Sequence, residues 1–390
     1  MLRKNRLFTP GPTPLLPAAQ NAMAAFGAHH RTAEFRALFS RVLADLKEFI
    51  GTKNDVLVLT SSGTGFMEAS LSNLTSPGDK VLILTAGKFG ERWVSLAKAF
   101  GCTIETVTAP YGDTIPLDQV RAKLTPDIRS VYVQATESST GARHDIEGIS
   151  ELVHAQPDTM LVVDAITGLG TTRFDVDDWG IDIILGGSQK ALMIPPGLAY
   201  GAVSERAWHR MEKTKSPRYY FDLRKERTAG EKGETSYTPA TSLFAGLAAA
   251  LDYIRQLGNG NLTAGRDALI ANAALCAVMT RAGVEALGYQ LFSPKSPAAA
   301  LTAVASPAGV DSSTIVKRFR ERFGAVVANG QAEMKGQLFR IAHLGYYDYL
   351  DTVGVLAALE HVTAEVTGKA VEFGSAVRAA QEVYAKATGS

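Results

Sequence analysis

The stretch Ile181-Asp-Ile-Ile-Leu-Gly-Gly-Ser-Gln-Lys190 decides the fold, because it predicts a buried strand that ends in two glycines and then presents one amine. Near-continuous Val, Ile and Leu are typical of strands buried on both faces of a parallel sheet. A second apolar run, Met160-Leu-Val-Val-Asp164, ends in a single carboxylate. The carboxyl ends of parallel strands share one edge of the sheet, so we expect Lys190 and Asp164 to face the same ligand crevice.

Other runs of β-forming residues surround these two and alternate with helical patterns. The predicted strands are 55–60, 80–85, 103–108, 130–134, 160–164, 181–185 and 199–203. The predicted helices between them include 66–74, 91–100, 117–123 and 146–155. This alternation predicts an α/β fold in which a large domain holds a mostly parallel seven-stranded sheet.

The composition changes after about residue 205, where segment 206–240 is charged and is expected to form loops. Beyond it, a second alternation of strands and helices predicts a smaller C-terminal α/β domain. Its predicted elements are helices at 240–256, 263–282, 313–323, 350–366 and 376–390 and strands at 301–305 and 338–342. We therefore expect an N-terminal arm (1–20), a large domain (21–257) and a small domain (258–390).

Composition excludes several classes of function. The 390 residues carry a net charge of +1 without a basic run, so we expect neither nucleic acid nor an anionic membrane as a partner. We find no window of about 18 apolar residues that would span a bilayer. The basic N-terminus runs into Thr9–Pro14 where a signal peptide would need its apolar segment, which favours a cytoplasmic location. No spacing of residues is typical of metal ligands.

The lysine and the aspartate together indicate a cofactor. A free lysine has a pKa of about 10.4 and is a poor nucleophile at neutral pH until burial lowers that value. An amine that forms a Schiff base with an aldehyde, beside a carboxylate that keeps a pyridine nitrogen protonated, is what pyridoxal 5'-phosphate requires. Alone, Lys190 could be a surface lysine and Asp164 a helix cap; their shared place at strand ends favours the cofactor.

A loop with the chemistry of a phosphate site follows the first strand of the sheet. Thr60-Ser-Ser-Gly-Thr-Gly65 opens an apolar helix, whose first N–H groups, together with the hydroxyls of Ser62 and Thr64, suit a phosphate dianion. Gly63 and Gly65 allow close approach of the backbone. A dinucleotide fingerprint is excluded because Glu68 stands where its next glycine is required. A plain strand–helix turn stays an alternative.

Three further residues could complete the site. Phe89, between Gly87 and Gly90, could lie flat on a cofactor ring, or it could be an ordinary core aromatic. Ser139, in Glu137-Ser-Ser-Thr-Gly141, could bond the cofactor or the substrate, or lie in a solvated turn. Arg340 stands mid-strand, where its planar fork would suit a substrate carboxylate; a structural salt bridge is the alternative.

The sequence resembles the class V aminotransferases of fold type I, in particular the alanine–glyoxylate, serine–pyruvate and serine–glyoxylate branch. The resemblance covers nearly the whole chain. Its motifs are Thr9-Pro-Gly-Pro12, Ser62-Gly-Thr-Gly65, Glu137-Ser-Ser-Thr-Gly141, Val163-Asp164, Gly187-Ser-Gln-Lys190-Ala-Leu192 with nearby Pro195-Pro-Gly197, and Arg340-Ile341.

This resemblance implies a role for each motif. Lys190 would be the Schiff-base lysine and Asp164 the pyridinium partner, with Phe89 where liver-type relatives have a tryptophan. Phosphate contacts would come from Thr64, Gly65 and Gln189 and, because the family is dimeric, from Thr235 and Thr238 of the neighbouring subunit. Thr235 stands where relatives often have a tyrosine. Arg340 would bind the substrate carboxylate, and Gly11 would approach the substrate.

The reaction implied is a ping-pong transamination in which Lys190 shuttles a proton. A small amino acid, alanine or serine, would react with a small 2-oxo acid, glyoxylate or pyruvate, in a likeness that also implies active sites at the interface of a homodimer. One alternative is an aminotransferase of the same class with a different amino donor. A lyase or cysteine desulfurase of the same fold, and a non-catalytic partner subunit, are less favoured alternatives.

Overall fold

The computed structural model describes residues 3–389 of the chain. Its strands are β1 (Arg6–Phe8), β2 (Asp55–Leu59), β3 (Lys80–Thr85), β4 (Thr103–Thr108), β5 (Ile128–Gln134), β6 (Thr136–Glu137), β7 (Ala142–Arg143), β8 (Met160–Asp164), β9 (Ile183–Gly187), β10 (Ala199–Val203), β11 (Leu301–Ala305), β12 (Ala325–Asn329) and β13 (Leu338–Ala342). Its helices are α1 (Pro17–Ala25), α2 (Ala33–Ile50), α3 (Gly63–Leu74), α4 (Lys88–Ala99), α5 (Leu117–Lys123), α6 (Ile146–His154), α7 (Glu205–Met211), α8 (Leu223–Gly230), α9 (Thr241–Leu257), α10 (Leu262–Ala286), α11 (Ser312–Phe323), α12 (Tyr349–Thr367) and α13 (Ser375–Thr388).

The central sheet has seven strands in the order β2-β10-β9-β8-β5-β3-β4. Only β10 runs antiparallel to its neighbours; the other pairings are parallel, which confirms the predicted mostly parallel sheet. Alternate residues of β2 enter different cores: Val56 and Val58 pack with α2 and α9, whereas Leu57 and Leu59 pack with α3. Helices therefore cover both faces of the sheet, and its strands must be apolar on both sides.

A second sheet, of four strands in the order β1-β12-β13-β11, forms the small C-terminal unit. The sequence predicted β11 and β13 but neither β12 nor β1, which contributes only three residues and pairs in parallel with β12. Strand β1 thus ties the N-terminal segment to the small unit. The limits of arm, large domain and small domain remain predictions.

One expectation about an individual segment was wrong. Segment 206–240 is not all loop, because α7 and α8 lie in it and bury apolar side chains such as Trp208 and Leu223. Each of these helices begins at a capping side chain, Ser204 or Asp222, that accepts a backbone N–H.

Helix α10 is long and apolar enough to cross a membrane by length and composition, but it packs against α9 and α13.

Candidate active site

Asp164 and Lys190 stand at the carboxyl ends of adjacent parallel strands. Asp164 is the last residue of β8 and is buried, and its Oδ1 accepts a hydrogen bond of 2.9 Å from the N–H of Ile166. Strand β9 pairs with β8 and ends at Gly187, just before Lys190. The charges of the two side chains act on each other's pKa, so the fold brings the predicted pair together.

Burial moves both groups toward neutrality. It lowers the pKa of Lys190 to about 8, against the opposing effect of Asp164 and with smaller contributions from Arg340 and Arg92. It raises the pKa of Asp164 to about 6, and the charge of Glu137 adds to that rise. At pH 7 a minor fraction of the amine is thus neutral and able to act as a base, while most of the carboxylate is ionised.

The N-terminal segment closes over the lysine. The Nζ of Lys190 donates a hydrogen bond to the carbonyl of Pro10. A Cβ atom on Gly11 would lie 2.5 Å from that Nζ, so no larger residue fits here without displacing the lysine. Thr13 fixes the backbone, because its N–H donates to the carbonyl of Gln189 at 3.1 Å and its hydroxyl to that of Lys190 at 2.9 Å. Gly11 therefore lies beside Lys190, and its approach to the substrate stays a prediction.

The predicted phosphate loop forms the start of α3, with Ser62 as its N-cap. Protein neighbours explain the two glycines. A Cβ on Gly63 would collide with Ile166, and one on Gly65 would lie 2.7 Å from the Oγ of Ser61. These contacts add a packing reason for the two glycines to the predicted close approach of the backbone to a phosphate. The loop and the Asp164 strand end are packed against each other through Ile166.

Arg92 is a residue of this site that the sequence did not predict. Its guanidinium lies 4.8 Å from the ring centroid of Phe89 and donates a hydrogen bond of 2.9 Å to the hydroxyl of Thr64. Phe89 and Arg92 are three residues apart on α4 and so share one face of that helix. That spacing was the available signal; it connects the predicted ring-stacking residue with the predicted phosphate loop.

Ser139 lies in a turn organised by a buried carboxylate. Its hydroxyl donates to the carboxylate of Glu137 at 2.6 Å, and the neighbouring hydroxyl of Ser138 lies 2.7 Å from that of Thr167. Both serines are buried, so the alternative of a solvated turn was wrong. The sequence indicated a role for the hydroxyls of the run 137–141 but gave no prediction for Glu137.

Arg340 is buried in the middle of β13 and binds main-chain carbonyls. Its guanidinium donates to Asn329 at 3.2 and 2.6 Å and to Ser138 at 2.7 Å. Among residues 3–389 no carboxylate forms a salt bridge with it, so the alternative of a structural ion pair was wrong. Burial lowers the pKa of Arg340 to about 10, against the charge of Glu137. Such a cation suits a carboxylate supplied by a ligand.

Three predicted cofactor residues have weaker links to this cluster. The Oε1 of Gln189 is buried and has no hydrogen-bond partner in the described part of the chain, which marks an acceptor that awaits a donor. Thr235 and Thr238 line a small cavity beside β2 and Tyr220, and the hydroxyl of Thr235 donates to the carbonyl of Tyr237 at 2.6 Å. Within one described chain no contact joins these threonines to Lys190.

The donor set fits a pyridoxal phosphate. A base, a buried carboxylate, an aromatic face and a loop of hydroxyls and N–H groups converge at one edge of a mostly parallel sheet, and together with the fold they define a fold type I pyridoxal phosphate enzyme. Residues 13–342 match the family model Aminotransferase class-V. The chain belongs to the class V aminotransferases, and its cofactor is pyridoxal phosphate.

Known proteins similar to this chain carry different names. The "Soluble hydrogenase 42 kDa subunit" of Anabaena cylindrica is 38% identical over 98% of this chain and 99% of its own length. The "L-aspartate--glyoxylate aminotransferase" of Paracoccus denitrificans is 32% identical over 100% of this chain and 98% of its own. The solved pyridoxamine–pyruvate aminotransferase of Mesorhizobium loti is 28% identical with a TM-score of 0.91, covering 99% of this chain and 98% of that one.

Proposed function

We propose that this protein transfers the amino group of a small amino acid, alanine or serine, to a small 2-oxo acid, glyoxylate or pyruvate, by a ping-pong mechanism. The observation that carries the proposal is the buried guanidinium of Arg340, which has no carboxylate partner in residues 3–389 and influences the pKa of Lys190. A carboxylate bound to Arg340 would place the Cα of an amino acid near the lysine.

The chain's own residues divide the work. Pyridoxal phosphate, when bound, supplies the electron sink that makes a Cα proton acidic. Lys190 would hold the cofactor and, once released as a neutral amine, would accept the proton from the substrate Cα and carry it during the transfer. Asp164 keeps a negative charge opposite the ring nitrogen, and Arg340 holds the substrate carboxylate in both half-reactions. The oxo acid restores the starting state by the same steps in reverse.

The number of carboxylates in the substrate follows from the number of arginine side chains in the site that are available to bind them. Arg340 offers its charge to one carboxylate, whereas Arg92 is engaged with Thr64 and the Phe89 ring. This favours monocarboxylic donors such as alanine and serine. The names of two relatives support glyoxylate and pyruvate as acceptors, and one of them names aspartate as donor. Aspartate is therefore the rival donor, and Arg92 is the residue that would have to receive its second carboxylate.

A half-reaction screen tests the proposal. The holoenzyme is mixed with alanine, serine or aspartate, and loss of the visible cofactor band is followed; glyoxylate, pyruvate, oxaloacetate or 2-oxoglutarate is then added to restore it. We expect alanine or serine to bleach the band fastest and glyoxylate or pyruvate to restore it. Faster bleaching by aspartate would make aspartate the donor in place of alanine or serine. No bleaching by any amino acid would overturn the proposed transamination. The Lys190→Ala variant is the control without multiple turnover.

Two alternatives have little support from the cysteines and the cofactor residues. A desulfurase needs an exposed, reactive thiol, but Cys276 is buried in α10, where burial raises its pKa to about 11. Cys102 is half-buried, and burial raises its pKa too. A non-catalytic partner subunit, which the name of the Anabaena relative suggests for that protein, has no need of Lys190 with Asp164. A purified protein that stays colourless with added pyridoxal phosphate would favour that alternative.

We also propose a cytoplasmic homodimer in which Thr235 and Thr238 serve the partner's site. The described part of the chain shows no contact between these threonines and Lys190, which supports this, as do the exposed rings of Tyr219 and Tyr220 beside them. Light scattering gives the mass, and Thr238→Val should weaken cofactor binding. Activity should return when Thr238→Val is mixed with Lys190→Ala, because one hybrid site is then intact. No recovery in confirmed heterodimers would contradict shared sites.

A further inference from the structure

The carboxylate of Glu137 is buried and accepts four hydrogen bonds from two separate segments. Its Oε2 accepts the backbone N–H groups of Phe89 and Gly90 at 3.1 and 3.0 Å. Its Oε1 accepts the N–H and the hydroxyl of Ser139 at 3.1 and 2.6 Å. One side chain therefore joins the first turn of α4 to the turn that follows β6.

Packing around this carboxylate leaves it no freedom. A Cβ on Gly87 would lie 2.5 Å from the Cγ of Glu137, so the backbone at position 87 can pass this close to the Glu137 side chain only if the residue there is glycine. The N–H of Lys88 donates to the Ser139 hydroxyl at 3.2 Å, which closes a small ring of bonds between the two segments. The N-terminus of α4 also carries the positive end of the helix dipole, which favours an anion there.

The joined segments carry different parts of the proposed site. The first turn of α4 presents the ring of Phe89, whereas the turn after β6 presents the carbonyl of Ser138 that holds the guanidinium of Arg340. The charge of Glu137 also reaches both Asp164 and Arg340, since it raises the pKa of each. Glu137 thus stands between the cofactor contact and the carboxylate contact.

We propose that Glu137 is a positioning residue that holds Phe89 against the cofactor ring and keeps that ring in register with Arg340. The inference rests on the proposed roles of Phe89 and Arg340. Three of the four groups that contact Glu137 are backbone N–H donors, so the ionised carboxylate satisfies them and the N–H₂ group of an amide does not. Glu137→Gln keeps the volume but turns an N–H₂ group toward two donors, which separates the segments.

The test uses a matched control in the small unit. Glu360 is likewise buried and accepts the N–H groups of Gly374, Ala376 and Val377 at the start of α13. Glu360→Gln therefore makes the same substitution at a comparable helix start outside the site. We expect Glu137→Gln to weaken pyridoxal phosphate binding about tenfold and Glu360→Gln to leave it unchanged, with similar thermal destabilisation in both. Equal affinities of Glu137→Gln and the unsubstituted protein, or an equal loss in Glu360→Gln, would overturn the proposal.

A double-mutant cycle asks whether the effect passes through Phe89. In the Phe89→Ala background we expect Glu137→Gln to lose most of its effect on cofactor affinity, because the positioned ring is already gone; additive losses would overturn the mechanism. If Glu137→Gln does not fold, Gly87→Ala displaces the same carboxylate and takes its place in the cycle. Cofactor affinity is measured without an amino acid, so a wrong substrate pair leaves this test intact.

Discussion

Gly11 lies against the amine of Lys190, so closely that a methyl group on Gly11 would stand 2.5 Å from the Nζ atom. Gly11 also has a backbone φ of 154°, a value that residues with a side chain rarely adopt. Gly11→Ala should therefore shift the lysine and lower turnover by about a hundredfold, the scale of a displacement of about 1 Å in an active site. Steady-state rates and the visible cofactor band measure the effect.

The control for Gly11→Ala is Gly27→Ala in the same N-terminal region, where an added Cβ meets no atom within 4 Å. We expect Gly27→Ala to keep the rate of the unsubstituted enzyme. Unchanged turnover in Gly11→Ala would contradict the contact between the N-terminal segment and the lysine.

The lowered pKa of Lys190 predicts how the apo-protein takes up its cofactor. Only the neutral amine attacks an aldehyde, and burial brings the pKa of Lys190 to about 8. The rate of band formation with pyridoxal phosphate should rise with pH, reach half of its limiting value near pH 8, and level off above that. Nα-acetyl-lysine is the reference, with its midpoint near the free value of about 10.4. A protein profile that still rises above pH 9 would show that burial does not control this amine.

The sequence predicted the seven strands of the large sheet from runs of β-forming residues, most of them near-continuous Val, Ile and Leu. It also predicted that Asp164 and Lys190 would meet, since strand ends share an edge. It did not predict Arg92 or Glu137, whose partners lie 28 and 48 positions away in the chain. Such contacts depend on how α3, α4 and the turn after β6 pack together. The short strand β1 was missed for a similar reason, because its three residues form a strand only through pairing with β12.

Arg340 should affect substrate binding more than cofactor binding. In Arg340→Gln the cation is lost, and the KM for the amino acid should rise about a hundredfold, as expected for a charged hydrogen-bonded pair. Pyridoxal phosphate affinity should change little. Arg218→Gln is the control, because Arg218 also donates to two main-chain carbonyls, of Ser72 and Ser216, with its side chain 5% exposed. A rise in KM in both variants, or in neither, would remove Arg340 from the substrate site.

Asp164→Asn should inactivate the enzyme yet stabilise its apo-protein. Asparagine keeps an acceptor for the N–H of Ile166 but removes the charge opposite the ring nitrogen, so turnover should fall on the order of a hundredfold.

The pKa of Asp164 also predicts how the stability of the apo-protein depends on pH. Its folded pKa of about 6 exceeds the unfolded value of about 3.9, so ionisation of the buried carboxylate lowers the free energy of unfolding as pH rises from about 4 through 6. Urea unfolding should therefore show Asp164→Asn equal to the unsubstituted protein at pH 4 and more stable, by up to about 3 kcal/mol, at pH 7. Asp311 caps α11 and has a lowered pKa, so Asp311→Asn should change stability with the opposite sign. A loss of stability in Asp164→Asn at pH 7 would mean that a protein cation already neutralises Asp164, leaving no unbalanced charge for a protonated ring.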